Sequence, residues 1–327
     1  MWEWQPLAYG ASLDRKPGAA VPPRTQNAKV SAMARILIGG ASGLIGSALV
    51  PSFESREDEV VRLVRYASTS AREIRWDPMR AIPPELVSGF DVVVHLSGER
   101  VAGRWTKAKK KRIRESRVVS TQNLSDALAK AEKPPTTFIC ASAIGYYGSR
   151  GDEILNEGSP SGAGFLAEVC REWESATAQA ADTGIRTVRL RIGIVLSRNG
   201  GALKQMLLPF RLGLGGQIGS GHQWWSWIHI RDLVSAVHHI LWHQALKGPV
   251  NMAAPNPATN AEFTKTLAGV MRRPAVLPIP AFAARLAFGE LADEGLLASA
   301  RVVPEKLIEN GFEFRYPELR SALRDLL

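Results

Sequence analysis

Cysteine is scarce: the 327-residue chain has two, Cys140 and Cys170. So few make no disulfide framework, and Cys140 lies in an apolar, strand-like run. Both are expected as reduced thiols of a cytoplasmic protein. Long apolar runs are missing as well. No window approaches the roughly 18 consecutive apolar residues of a transmembrane helix, so neither a span nor a membrane partner is expected. No group of His, Cys, Asp or Glu has metal-ligand spacing, so no metal is expected either. Acidic residues are outnumbered, 31 against 41 Lys and Arg, for a formal net charge of +10. That balance suits nucleic acid and equally an enzyme with anionic ligands.

What is present is ordinary globular material, 45% hydrophobic and 22% charged, enough for one large domain or a domain with a smaller cap. Residues 1–32 differ, with Pro6, Pro17, Pro22 and Pro23, no periodicity and no apolar core of a signal peptide. They read as a disordered extension, or as an upstream start assigned to a protein that begins at Met33. From residue 34 strand-like and helical patterns alternate. Strands are expected at 35–38, 60–64, 92–96, 137–141 and 187–190, with helices at 44–54, 106–131 and 165–181 between them. Pro51 should kink or end the first helix. The alternation implies an α/β fold, a doubly wound parallel sheet of Rossmann type. It fades after residue 198 into Gly- and Pro-rich segments and helices at 260–271, 281–288 and 317–326. We therefore expect a dinucleotide domain at 34–250, a substrate-side insertion at about 198–227 and a smaller C-terminal cap at 251–327.

The first strand, Ile36-Leu37-Ile38, runs into Gly39-Gly40-Ala41-Ser42-Gly43-Leu44-Ile45-Gly46. Gly40, Gly43 and Gly46 keep a G-x-x-G-x-x-G spacing, a wider relative of the dinucleotide fingerprint. Glycine allows positive φ and lets a pyrophosphate approach the first turn of the helix. A plain strand–helix turn has the same look. A carboxylate at the end of the second strand would bind a ribose diol, whereas a basic residue accommodates a 2′-phosphate. Here Val64 is followed by Arg65, 19 residues after Gly46. Coupled to the glycine turn, Arg65 favours NADP(H) over NAD; alone it is a surface charge.

Two further strands end in turns of small residues. In Asp91–Gly98 the strand reaches Leu96-Ser97-Gly98, and His95 reads as a packed core histidine. In Thr137–Gly148 hydroxyls gather at the strand end, where Ser142, Tyr146 and Tyr147 are candidates to bond a substrate oxygen or a nicotinamide ribose. A turn with aromatic packing is the alternative. Lys107, Lys109, Lys110, Lys111, Arg112 and Arg114 suit the solvated face of a helix better than a nucleic-acid site, which calls for a module or stacking aromatics. The five-glycine loop at 212–225 reads as a flap over a substrate or as a hairpin. His238-His239 sits in an apolar helix-like run and reads as packing.

Gly40-x-x-Gly43-x-x-Gly46, Asp91–Gly98, Tyr147-Gly148 and Trp227-Ile228-His229-Ile230-Arg231-Asp232-Leu233 resemble the extended or atypical short-chain dehydrogenases/reductases. Ile113–Val118, the run from Leu208 to Gly221, Thr259–Phe263 and Gly311–Phe314 are similar to the epimerase family group, SDR family 39U. The resemblance covers about residues 34–327 and implies an NADP-binding Rossmann domain. It implies that Gly40, Ser42, Gly43, Leu44, Ile45, Gly46, Leu96, Ser97, Gly98 and Glu99 lie along the cofactor. Arg117 stands where ordinary extended members have an asparagine and is implied to lie near the cofactor; Arg191 is implied to be structural. One departure is large. Typical members use Tyr-x-x-x-Lys, whose lysine lowers the tyrosine pKa for proton exchange as hydride moves. No such pair occurs here, and the segment that should carry it reads Phe165-Leu166-Ala167-Glu168-Val169-Cys170. Glu168 and Cys170 are weak substitutes. Two readings follow: an NADP-dependent oxidoreductase or epimerase of a small polar substrate with an atypical acid/base, or an NADP(H)-binding regulatory or interaction protein without catalysis. The sequence leaves homo-oligomerisation open.

Overall fold

The structure, a computed structural model, describes residues 33–327; the expectation for residues 1–32 lies outside the described residues. Seven segments form the central sheet: β1 (Arg35–Gly39), β2 (Glu59–Val64), β3 (Glu73–Arg75), β4 (Val92–His95), β5 (Thr137–Ala143), β6 (Arg186–Ile192) and β7 (Gly248–Met252). All pairings are parallel, in the order β7-β6-β5-β4-β1-β2-β3. Order reverses at β1, the topological switch point of a Rossmann sheet.

The helices are α1 (Gly46–Glu54), α2 (Lys107–Lys130), α3 (Phe165–Ser175), α4 (Ala178–Asp182), α5 (Gly201–Arg211), α6 (Ile230–Trp242), α7 (Asn260–Met271), α8 (Ala281–Phe288), α9 (Glu305–Glu309) and α10 (Leu319–Leu326). Parallel strands covered on both faces read as near-continuous apolar runs, and alternate residues of β1 feed opposite cores. Ile36 and Ile38 join Leu49 and Phe53 of α1 and Leu233 and Val237 of α6. Leu37 joins Leu124 and Leu128 of α2, Trp173 of α3 and Ala180 of α4. A third core unites Leu203 and Leu207 of α5, Phe263 and Leu267 of α7, and Leu319 and Leu323 of α10. This packing draws the 201–211 segment toward the C-terminal helices.

Several expectations are corrected. The helix expected at 165–181 is two, because Thr177 Oγ1 donates to the Glu174 carbonyl at 2.7 Å and the ladder is interrupted there. The first helix continues through Pro51 to Glu54. The glycine loop is neither a free flap nor a hairpin. Ile218 pairs in parallel with Ile279, and a Cβ on Gly216 would sit 1.6 Å from the Leu277 carbonyl oxygen. The basic face of α2 is only partly solvated, since Lys109 and Lys110 bind Glu99 and Glu290, each at 2.6 Å.

Candidate functional site

The β1–α1 turn and the turn after β4 touch. The Leu96 N–H donates to the Gly39 carbonyl at 2.8 Å, and Gly40 takes φ +83°. A Cβ at Gly40 would fall 2.7 Å from the Leu96 carbonyl carbon. Gly46 is packed onto the turn itself, where a Cβ would meet the Gly40 oxygen. Gly43 and Ser42, by contrast, are exposed. Two glycines thus serve close packing and the third leaves the outer rim of the turn bare. Among the described residues, the N–H groups of Leu44, Ile45 and Gly46 donate to no protein acceptor. Such N–H groups at a helix start are an anion cradle.

The structure brings Leu96, Ser97, Gly98 and Glu99 to the same crevice. Arg117 reaches it from α2, its guanidinium 3.2 Å from where a Cβ on Gly98 would stand. It lies 5.1 Å over the Trp173 ring and donates to the Ile113 carbonyl, but forms no ion pair among the described residues. Burial lowers its pKa, opposed by Cys170 and Glu99. Lys109 holds the Glu99 carboxyl below its usual range. Arg65 is exposed at the end of β2, on the other side of β1. A cation with no carboxylate, a bare turn and free N–H groups suit a phosphorylated dinucleotide.

The second cluster divides. Ser142 is buried and donates to Glu174 at 2.8 Å. Glu174 also holds Arg191 by two bonds of 2.8 and 2.9 Å. Arg191 donates to the Tyr147 hydroxyl at 3.0 Å, and that hydroxyl lies 2.7 Å from Asn251 Oδ1 and 2.9 Å from the Asn156 carbonyl. Burial pushes the Tyr147 phenol to about 12, against the pull of Arg191. Burial opposes the Arg191 charge, but Glu174 more than offsets it and the pKa is raised. Two of the three hydroxyl candidates, Ser142 and Tyr147, are therefore members of a buried structural network. Tyr146 is half-buried, with the Arg191 guanidinium 3.5 Å over its ring and no hydrogen bond to its hydroxyl among the described residues.

The slots of the missing pair are filled with apolar packing. Phe165 and Val169 join Trp105 and Ile113, and Lys110 caps the Phe165 ring at 4.4 Å. Cys170 is buried, its thiol pushed up to about 11 by desolvation. Glu168 is exposed and paired to Arg114 at 3.2 Å. Glu294, from beyond α8, accepts from the Phe165 and Leu166 N–H groups at 2.8 and 3.0 Å.

Sequence reasoning missed Glu174, Glu157, Asn251 and Glu294. Glu174 had a signal: it falls on the helical stripe of Phe165, Cys170 and Trp173, and a carboxylate on a buried stripe needs a cation. The Glu157 carboxylate accepts from the Asn251 N–H at 2.9 Å, and burial raises its pKa. No local pattern announces that contact.

A parallel sheet of this order, with a glycine cradle at its switch point, defines a dinucleotide-binding Rossmann protein of the short-chain dehydrogenase/reductase class. The model of the NAD dependent epimerase/dehydratase family matches residues 36–253, and a domain of unknown function matches 279–326. An epimerase family protein of Mycobacterium tuberculosis is 42% identical over 294 residues, 89% of this chain and 97% of that protein. The crystal structure of human epimerase family protein SDR39U1 (isoform2) with NADPH superposes with a TM-score of 0.82 at 36% identity, covering 89% of this chain and 98% of that one. A nucleoside-diphosphate sugar epimerase from Corynebacterium glutamicum gives 0.76 at 37%, covering 90% of this chain and 58% of that one. The chain belongs to the NAD dependent epimerase/dehydratase family, in the group of SDR39U1-like epimerase family proteins.

Proposed function

We propose that the crevice between the β1 and β4 turns binds NADP(H), and that the chain is an oxidoreductase or epimerase of a small polar substrate. The observation that carries the reading is the bare Gly43 rim with the free N–H groups that follow it, held against the Leu96–Gly98 turn on which the unpaired Arg117 lies. The human relative's structure with NADPH supports it. The residues that would hold the cofactor are Gly40, Ser42, Gly43, Leu44, Ile45 and Gly46 at the pyrophosphate, and Arg65 at the 2′-phosphate. Leu96, Ser97, Gly98, Glu99 and Arg117 would line its other side. When bound, the nicotinamide supplies a hydride acceptor or donor. Proton exchange falls to Tyr146, the one candidate hydroxyl without a protein partner, since Ser142 and Tyr147 are committed to Glu174, Arg191 and Asn251. The division into a dinucleotide domain at 34–250 and a lobe made of 198–227 with 251–327 belongs to the same proposal, supported by the shared core of α5, α7 and α10.

A second reading, cofactor binding without catalysis, is favoured by one feature: Phe165 and Val169 are sealed in an apolar cluster where an acid/base pair would stand. Fluorescence titration with NADPH and NADH tests the cofactor. Arg65→Ala should weaken NADPH roughly 10- to 100-fold, as for a lost bond to a charged group, and leave NADH unchanged. Equal affinities in the unmodified protein would remove the Arg65 assignment. Transfer of label from 4-deuterated NADPH to a panel of prochiral carbonyls separates the two readings. Tyr146→Phe should lower that transfer by about 10²- to 10⁴-fold, and a panel with no transfer supports binding alone.

A further inference from the structure

Among the stretches of the chain without a single Asp or Glu are 183–231 and 263–289. The structure lays parts of both side by side. Gly219 N–H donates to the Ile279 carbonyl at 2.9 Å and Ile279 N–H to the Gln217 carbonyl at 2.8 Å. A Cβ on Gly213 would stand 3.6 Å from Pro274, and one on Gly219 would stand 3.9 Å from Ala281. The end of α5, the glycine loop, residues 274–279 and α8 therefore make one continuous strip.

Large apolar side chains protrude along it: Leu208 and Leu212 are 64% exposed, Val276 76%, Phe282 72% and Leu286 75%. Phe282 and Leu286 are one helical turn apart, on one side of α8. Isolated exposed apolar residues need no explanation, but a contiguous row of them does. Cations flank the row. Arg198, Lys204, Arg211, Lys265, Arg272 and Arg273 form no ion pair among the described residues. Arg198, Arg211 and Arg273 line a recess of about 380 Å³ whose other walls include Val270, Met271 and Leu327. The acids that bound the second stretch are already engaged, Glu262 in the α7 capping box and Glu290 with Lys110.

We propose that this strip docks on an anionic lipid surface, Leu208, Leu212, Val276, Phe282 and Leu286 entering the headgroup boundary while the flanking guanidinium and ammonium groups meet lipid phosphates and carboxylates. Protruding apolar side chains with a cationic flank are the makeup of interfacial membrane contacts. Charge argues against the other occupants. A second copy seated face to face would bring unpaired cations onto unpaired cations. A nucleic acid would satisfy the cations and leave the aliphatic row in water. Among the described residues no helix is long and apolar enough to cross a membrane, so the contact is peripheral. The proposal departs from the sequence expectation of no membrane partner, which rested on the lack of spanning runs alone.

Flotation of the full chain with vesicles tests this. Phosphatidylcholine vesicles should leave the protein behind and mixed phosphatidylcholine/phosphatidylserine vesicles should carry it at low salt, with binding falling as salt rises. The double substitution Arg272→Gln, Arg273→Gln should weaken binding roughly thirtyfold, at ~1 kcal/mol per charge near the surface. Phe282→Asp with Leu286→Asp should abolish it at an unchanged melting temperature, because both side chains are in solvent. No flotation with the mixed vesicles at low salt overturns the proposal, as does full binding by the Phe282/Leu286 variant. A self-association that this same variant abolishes, without flotation of the unmodified protein, assigns the strip to a second copy.

Discussion

Tyr146 and Tyr147 are adjacent, yet the 3₁₀ turn after β5 sends their hydroxyls to different places. Tyr147 is fully buried, while Tyr146 stays half open against Arg191. A phenol held at about 12 and bonded to Arg191 and Asn251 is a strut. Tyr147→Phe is expected to cost about 1–3 kcal/mol of stability by leaving buried partners unsatisfied, with label transfer from NADPH unaffected. Tyr146→Phe should show the reverse, little change in a urea melt and loss of transfer. Removing one member of the buried ion pair is harsher: Glu174→Gln strands the Arg191 charge and should cost about 3–5 kcal/mol. A Glu174→Gln melt within 1 kcal/mol of the unmodified protein, an order-of-magnitude bound, would contradict the buried pairing. The sequence shows that hydroxyls collect at the end of β5. It cannot show which are taken, because Arg191 and Asn251 arrive from strands 44 and 104 residues away from Tyr147.

At the scale of elements, α3 depends on a residue far along the chain. Its first turn has no side-chain cap of its own, and Gly164 precedes it at φ +103°. The Glu294 carboxylate fills both gaps, accepting the first two N–H groups of a helix whose N-terminus favours negative charge. A Cβ on Gly164 would meet that carboxylate at 2.5 Å. Glu294→Ala should therefore cost about 0.5–2 kcal/mol, the value of a lost cap, read as a drop in the denaturation midpoint. Amide exchange should quicken first at Phe165 and Leu166. The composition of α3 was legible: Phe165 and Val169 announce in sequence that the usual proton relay is gone. Its cap was not, since Glu294 and Phe165 are 129 residues apart.

For the whole molecule, the alternation of apolar runs and amphipathic helices was enough to read a parallel sheet. The Gly40–Gly46 spacing was enough to mark the tight glycine turn between its first strand and first helix. What escaped was the fastening of the C-terminal segment through the Trp227–Leu233 motif. Asp232 accepts the Arg315 and Tyr316 N–H groups at 3.0 and 2.9 Å. His229 Nδ1 accepts from Arg231 N–H at 3.1 Å, and its ring stacks on Tyr316 at 4.0 Å. Burial drives His229 down to about 4, with Asp325, 3.3 Å from Nε2, pulling the other way. His95, fully buried between β4 and α2, is also pushed down to about 4 by desolvation. The sign follows from proton counting. Below the ordinary value of 6.5 the unfolded chain takes up protons at these histidines while the native state does not until about 4. Stability is therefore full above 6.5 and declines as pH falls through this window, with His95 alone accounting for about 2 kcal/mol by pH ~5. Glu157 and Asp232, whose carboxyls burial raises, act in the opposite sense, nearer the carboxylate range. These two histidines, together with His238 and His239, whose pKa values burial also lowers, thus set the slope just below neutrality. Melting temperature should fall steadily from pH ~7 to ~5. His229→Asn, which keeps an acceptor for the Arg231 N–H at the start of α6, should flatten that fall. A melting temperature constant over this range, or a slope that His229→Asn leaves unaltered, would mean that the motif does not hold its histidine neutral.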